Sequence, residues 1–279
     1  SIDLEKPKFN VKDASLDDID ELVKIDFESF EQVYSHYNQD EDSIRGELNA
    51  KFRNRYQKIG GKWITILEKN GETVGFMASC PTVKAPENFI SWEDITDEGT
   101  LNNTYNKDGE NVYVVTLSVL SSGTEGKSLL FAYQIGQAIK EGYKQAFFES
   151  RLPGLKQWVL NDHCSGDQNR FDNLSEEEKH NLAKVYFDLH DEIKGRKVRH
   201  DKQLRLYERL GAKCIKLVPN AYKDEESMNY GVVCAINFSG FFNGTFLPIK
   251  VPENKLTRRI VGNSLRIISK SNKLSREIF

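Results

Sequence analysis

The sequence predicts a domain of the α/β (α+β) class, and three observations carry that expectation. From Asn111 to Glu149 the chain reads strand, glycine-bearing loop, helix, strand. Asn70-Gly71, set between two apolar runs, is a strong signal for a tight hairpin. Two β-rich runs, Ala212 to Val218 and Gly231 to Phe238, follow a largely helical stretch and read as a closing strand pair.

The elements follow in order. Phe9 to Ala14 reads as a first strand. Ser15 is an N-cap with Asp17 and Asp18 in the first turn, and Ile19, Leu22, Val23 and Phe27 give that helix its buried stripe. Asp42 to Gln57 reads as a second amphipathic helix. Trp63 to Leu67 and Thr73 to Ser79 are the arms of the hairpin, and the loop-rich stretch Pro81 to Gly109 leads to a long central strand, Val112 to Leu120. Leu129 to Lys140 has apolar residues at helical spacing, and Gln145 to Ser150 is the next strand. Arg151-Leu-Pro-Gly154 punctuates the chain. Leu155 to Arg196 is expected to be an insertion forming a lid, with Ser175-Glu-Glu-Glu178 capping a helix that runs to about Lys194. Asp201 to Leu210 is a short helix ended by Gly211. Residues 1–246 are expected to form one domain and 247–279 a basic appendage, helical over about Asn263 to Lys270.

Composition narrows the function. The chain has 279 residues, a net charge of −3 and 38% hydrophobic content, which suits one large domain or one domain with an appendage. Near-neutral charge offers no electrostatic case for nucleic acid as a partner. No apolar run approaches the ~20 residues that span a bilayer. The polar N-terminus lacks a signal-peptide core, so a cytoplasmic location is expected. Cys80, Cys164, Cys214 and Cys234 are scattered without Cys-x-x-Cys spacing, and the five histidines show no metal spacing, so neither a disulfide frame nor a metal site is expected.

The loop Ser121 to Ser128 carries the functional signal. A glycine loop between a strand and a helix N-terminus aims backbone N–H groups and the helix dipole at one spot, which suits a phosphate or pyrophosphate. One reading is a P-loop: Ser121-x-x-x-x-Gly126-Lys127-Ser128 departs from the Walker pattern only at its first glycine. In that case Lys127 would reach phosphates and Ser128 would hold Mg²⁺. A second reading is a strand-to-helix turn that binds nothing.

A third rests on resemblance. Gly123-x-x-Gly126-x-Ser128, with Val119 before it, resembles the pyrophosphate loop of the GNAT superfamily of acyl-CoA-dependent acyltransferases, usually Gln/Arg-x-x-Gly-x-Gly/Ala. Gly123 stands at the Gln/Arg position and Ser128 at the last. The order of elements is similar to that family's. Ser91 to Thr100 with Val112-Tyr113, then Ser150 to Gly154, Asp201 to Gly211 and Leu217 to Gly231, resemble in turn four segments of a subgroup similar to the GNAT-like loading domains of polyketide synthases. Together they cover about Phe9 to Phe238.

The resemblance implies a mixed, mostly antiparallel sheet with a splayed central strand and helices on both faces. It implies acetyl-CoA or another acyl-CoA as donor and a small-molecule amine as acceptor, without nucleic acid or membrane, in a monomer or homodimer. Backbone groups near Leu117, Ser118 and Val119 would face the pantetheine arm and the thioester oxygen. The amides of Ser122, Gly123, Thr124, Glu125, Gly126, Lys127 and Ser128 would hold the pyrophosphate. Tyr207 would protonate the leaving thiolate, although His200 and Gln203 depart from the residues usual around it. Glu149 would accept the amine proton, or else be a strand-end glutamate paired with Arg151. Thr116 and Ser118 share a strand face, and either could instead donate to the acyl carbonyl. Trp92, Arg151 and Tyr222 would line the acceptor cleft. S-acyl transfer or decarboxylation of acyl thioesters, and CoA binding without catalysis, stay open beside N-acylation.

Overall fold

The computed structural model describes residues 8–238 and 254–270. Strand β1 (Phe9–Asp13) leads into α1 (Ile19–Ser29), the short α2 (Glu31–Tyr34) and the long α3 (Glu41–Ile59). Strands β2 (Ile64–Lys69) and β3 (Glu72–Thr82) follow, then α4 (Trp92–Thr96), β4 (Asn111–Val119), α5 (Lys127–Glu141) and β5 (Gln145–Arg151). The insertion holds α6 (Leu155–Trp158), α7 (Gln168–Asp172), α8 (Glu176–Asp188) and a separate hairpin of β6 (His190–Ile193) and β7 (Arg196–Arg199). Last come α9 (Lys202–Arg209), β8 (Lys213–Val218), β9 (Gly231–Asn237) and α10 (Lys255–Ser269).

Seven strands form one sheet in the order β1-β2-β3-β4-β5-β9-β8. Every neighbouring pair is antiparallel except β4 and β5, which α5 joins by a crossover. Adjacent residues of a strand face opposite sides. Accordingly Phe76 of β3 packs edge-on against Phe52 of α3, with ring centres 5.7 Å apart, while Met77 lies beside Phe131, Gln134 and Ile135 of α5. Helices α1 and α3 therefore cover one face and α5 the other. The interior of α5 is buried almost all round, from Ser128 to Ile139, because α10 packs on its outer side. Gly136 and Gly262 make that approach possible: a Cβ on Gly136 would stand 2.7 Å from the Gly262 carbonyl oxygen. The tail helix begins before the Asn263 to Lys270 stretch in which a helix was expected. The expected domain boundary at residues 246 and 247 lies outside the described residues.

One element differs from the sequence expectation. The helix opened by Ser175 stops at Asp188 instead of running to about Lys194. Leu189 turns extended, at φ −68° and ψ 135°. Lys194 and Gly195 then both take positive φ, 51° and 73°, as the two central residues of a tight hairpin turn. Lys-Gly between Ile193 and Arg196 was the available signal.

Candidate active site

The parallel pairing of β4 with β5 ends after three residues: Asn111 with Gln145, Val112 with Ala146, and Tyr113 with Phe147. Beyond that point β4 keeps β3 as its partner and β5 keeps β9 as far as Arg151 with Gly231, so the two strands part. A bulge marks the divergence. Ala78 pairs with Thr116 and Ser79 with Val114, leaving Val115 unmatched. The indole N–H of Trp92 donates to the Val115 carbonyl at 2.9 Å, holding the bulge in place. The strand is buried from Asn111 to Val115, then Thr116, Leu117 and Val119 become half-exposed. A strand edge without a partner offers its N–H and C=O groups to whatever enters the wedge.

The loop Ser121–Gly126 closes one end of the wedge as a 3₁₀ turn that runs directly into α5. The N–H of Gly123 donates to Leu120 at 2.8 Å, and the N–H of Lys127 donates to Thr124. Both glycines are buried and have negative φ or pack tightly against the sheet. A Cβ on Gly126 would stand 2.7 Å from Leu67 Cδ2, and one on Gly123 would stand 2.8 Å from Val74 Cγ2. They let the loop lie flat on β2 and β3, while Ser122, Thr124 and Glu125 face outward. Lys69 Nζ donates to the Ser122 carbonyl at 2.9 Å. Lys127 is half-buried, and burial lowers its proton affinity. No side chain caps the N-terminus of α5. The P-loop reading does not fit the sheet, which contains a single parallel pair among the described residues. The Ser128 hydroxyl is buried without a partner among the described residues.

At the other end of the wedge stands Glu149. Both of its carboxyl oxygens are buried without a hydrogen-bond partner among the described residues. Burial, then the charge of Glu93, pushes its pKa up to about 9. Room for it comes from Gly231, where a Cβ would fall 2.8 Å from Glu149 Cγ and Oε1 and 2.9 Å from Ala221 Cβ. The Ala221 carbonyl accepts from the Trp92 N–H at 3.2 Å, tying α4 to the β8–β9 loop beside the carboxyl. The next residue, Tyr222, has a buried hydroxyl with no partner among the described residues. Burial and then the Glu149 charge raise its pKa well above the ordinary value, and the same two causes act on Tyr113. Glu149, Tyr222 and Trp92 thus come together.

The remaining candidates are placed differently. Arg151 does not pair with Glu149. Its Nε and Nη2 donate to Asp224 at 2.7 and 2.8 Å, and Nη2 also reaches Glu226 at 3.2 Å. It clamps the β8–β9 loop instead of presenting a free cation. Tyr207 is a core residue, with its ring 4.6 Å from that of Phe148 and 5.9 Å from that of Phe131. Its hydroxyl accepts from Gln203 at 3.2 Å, and burial pushes its pKa up to about 12. The Ser118 hydroxyl donates to Asp26 of α1 at 2.9 Å, and Tyr34 donates to the other Asp26 oxygen at 2.6 Å. Asp26, Gly231 and Asp224 were missed in the sequence. A carboxylate four residues after Leu22 in an apolar helical stripe was the only cue to Asp26. Nothing local marked the other two.

No protein-family model and no curated relative matches the sequence. Solved structures match in fold, two of them among those with a TM-score above 0.5. The loading GNATL domain of CurA from Lyngbya majuscula superposes with a TM-score of 0.56 at 17% identity, covering 82% of this chain and 97% of that one. The GphF GNAT-like decarboxylase in complex with isobutyryl-CoA gives 0.54 at 15% identity, covering 81% and 98%. The chain has the GNAT fold. Within it, the order β1 to β4, crossover helix, β5 and a closing β8–β9 pair accounts for the parted central strands, and the insertion α6 to β7 is built around the β8–β9 loop. There the Lys156 N–H donates to the Glu226 carbonyl at 3.0 Å. No helix of the described residues is long and apolar enough to cross a membrane.

Proposed function

We propose that the protein is an acyl-CoA-dependent acyltransferase that moves an acetyl group onto a small amine by direct attack in a ternary complex. The observation that carries this is the wedge itself. It runs from the uncapped N-terminus of α5, along the free edge of β4, to a carboxyl that lacks a partner. The uncapped α5 N-terminus and the outward-facing part of the turn at Ser122, Thr124 and Glu125 suit a diphosphate, with Lys127 at the rim. The edge at Leu117 to Val119 suits the amide-bearing pantetheine arm, which would pair with it as a strand does.

The chemistry asks four things of this chain: hold the thioester, polarise its carbonyl, take a proton from the amine and return one to the thiolate. The backbone N–H groups of the open edge, or the half-exposed Thr116 hydroxyl, supply donors to the carbonyl oxygen. The amine nitrogen attacks the carbonyl carbon, the C–S bond breaks, and the nitrogen's proton passes to Glu149. With a pKa of about 9 this carboxyl acts as the base only in its ionised form, which grows as pH rises towards that value. Tyr207 keeps its proton at neutral pH and serves as the donor to the thiolate. Trp92 and Tyr222 form the acceptor wall; Arg151 supports it through Asp224.

A second reading is favoured by one specific observation. At neutral pH Glu149 is a neutral acid in an apolar wedge, as a group that protonates a carbanion should be. The CurA and GphF domains, by their names, are a loading domain and a decarboxylase. On this reading the C–C bond to a carboxylate breaks, CO₂ leaves, and the resulting enolate takes the Glu149 proton, with or without S-acyl transfer to a carrier thiol.

The test has two arms. Melting temperature is measured with coenzyme A, acetyl-CoA and ATP–Mg²⁺; the first two should raise it and the third should not. Thiol release from acetyl-CoA is then followed with an amine panel, and CO₂ release from malonyl-CoA with and without a carrier-protein thiol. Absence of any shift with every CoA thioester sinks both readings. CO₂ release without amine acylation leaves only the second.

A further inference from the structure

Two thiols of the closing strand pair take no part in the chemistry above. Cys214 of β8 stands directly opposite Cys234 of β9, just before the bulge at which Lys216 meets Val233. Their Sγ atoms are 3.9 Å apart and both thiols are free. Cys234 is fully buried, whereas Cys214 is half-buried. Directly opposed residues of antiparallel strands have Cα atoms ~4.5–5.5 Å apart. That lies inside the ~4.4–6.8 Å span a disulfide bridges. Forming the bond requires the sulfurs to approach by roughly 2 Å, within reach of side-chain rotation at a bulge where the ladder is already interrupted.

The pair's surroundings give it a consequence. Cys234 pairs on its other side with Phe148 of β5, whose ring lies 4.6 Å from that of Tyr207. The two cysteines are 20 residues apart. The chain between them is the β8–β9 loop that carries Ala221, Tyr222 and the Asp224 partner of Arg151. A bond here would staple the base of that loop.

We propose that Cys214 and Cys234 form an oxidative modification site, at which a hydroperoxide converts the dithiol to a cross-strand disulfide. Cys214, the half-buried member of the pair, attacks the hydroperoxide oxygen. An S–O bond forms, the O–O bond breaks, and an alcohol or water leaves. Cys234 then attacks the oxidised Cys214 sulfur: an S–S bond forms, the S–O bond breaks, and water leaves. Two thiols and one hydroperoxide become one disulfide, one alcohol and one water. Burial raises the Cys234 pKa well above its ordinary value. Cys80 of β3 is buried against the Pro81 carbonyl at 3.4 Å and stays reduced.

The experiment treats the folded full chain with hydrogen peroxide, then digests it without reductant for peptide mapping by mass spectrometry. The expected product is a single Cys214–Cys234 cross-linked peptide that dithiothreitol releases. It should come with a melting temperature raised by roughly 5–10 °C and lost on reduction. In parallel, phenylarsine oxide, which bridges paired thiols, is added to the untreated protein. One equivalent should bind and protect both cysteines, and Cys214→Ser should abolish binding. Overoxidised Cys214 with an unmodified Cys234, or a folded wild-type protein that ignores the arsenical, overturns the proposal. Should Cys214→Ser fail to fold, these wild-type measurements still decide.

Discussion

Replacing Glu149 by glutamine is expected to remove its proton transfer and to stabilise the protein relative to wild type by an amount that grows with pH in a calculable way. Burial and the Glu93 charge raise the Glu149 pKa from 4.5 in the unfolded chain to about 9 in the folded one. Between those values the native state holds a proton that the unfolded chain has released. Stability therefore falls as pH rises, by about 1.4 kcal/mol per pH unit. Below pH 4.5 both states are protonated and the group has no effect. By pH 7 the wild type has lost about 3 kcal/mol to this group, and by pH 9 about 6 kcal/mol as an upper bound. Glutamine has no such titration. Its amide leaves unpartnered polar atoms where the carboxyl had them, a pH-independent offset of about 1–3 kcal/mol at most. The slope of the difference is thus the diagnostic, not its intercept. Urea denaturation of both proteins at pH 5, 7 and 8.5 measures it. At pH 7 the melting temperature of E149Q should exceed its value at pH 5, each relative to wild type, by roughly 5–10 °C. A difference that is flat across pH, or that shrinks as pH rises, refutes the assignment of a neutral buried carboxyl.

Gly231→Ala places a Cβ 2.8 Å from Glu149 Cγ and Oε1. It should cut kcat while leaving coenzyme A affinity near wild type, at a stability cost of about 1–3 kcal/mol; calorimetry beside steady-state kinetics separates the two effects. Arg151→Met strands Asp224, only 5% exposed at its side chain, and should destabilise by about 2–3 kcal/mol at neutral pH. Because Arg151 and Ser227 hold the Asp224 pKa below its ordinary value, that stabilisation is present above pH 3.8 and is lost as pH falls through the folded value. The melting gap should therefore close in acid. Gly126→Ala meets Leu67 Cδ2 at 2.7 Å, and should lower the melting temperature equally with and without coenzyme A if the glycine serves packing rather than ligand approach.

The fold was legible where local chemistry and tertiary role coincide. Asn70-Gly71 with positive φ at both positions, 52° and 85°, is the hairpin turn its dipeptide announces. The strand-loop-helix-strand of residues 111–151 forms in register because β-branched residues, glycines and an apolar helical stripe each favour the conformation they adopt. What was not legible comes from distant chain segments meeting. The Arg151 side chain reads as lining the acceptor cleft or pairing with Glu149 until the β8–β9 loop brings Asp224 to it from 73 residues away. Ser118 reads as a group facing the wedge, but Asp26, 92 residues earlier, draws its hydroxyl to the helical side. The glycine-bearing loop was legible, whereas the purpose of Gly123 and Gly126 was not: a loop glycine serves equally to admit a phosphate or to lie flat on Leu67 and Val74.

The protonation state of Glu149 separates the two functional readings by the direction of their pH dependence. A base must be ionised before it can act. With a pKa of about 9, only about one per cent of Glu149 is ionised at pH 7, so kcat/KM for amine acylation should climb about tenfold per pH unit from pH 6 towards 9, then level. An acid must be protonated. For decarboxylation followed by enolate protonation, the same quantity should stay flat through neutrality and fall above pH 9. Glu149→Gln distinguishes them again, since an amide retains a hydrogen-bond donor but transfers no proton. Under the first reading the steep ascent disappears and a low, pH-independent rate remains. Under the second, CO₂ release persists while protonation of the enolate passes to solvent, visible as loss of stereospecific deuterium incorporation in D₂O. A rate that rises with pH for CO₂ release, or one that falls with pH for amine acylation, removes Glu149 from the proton path in either case.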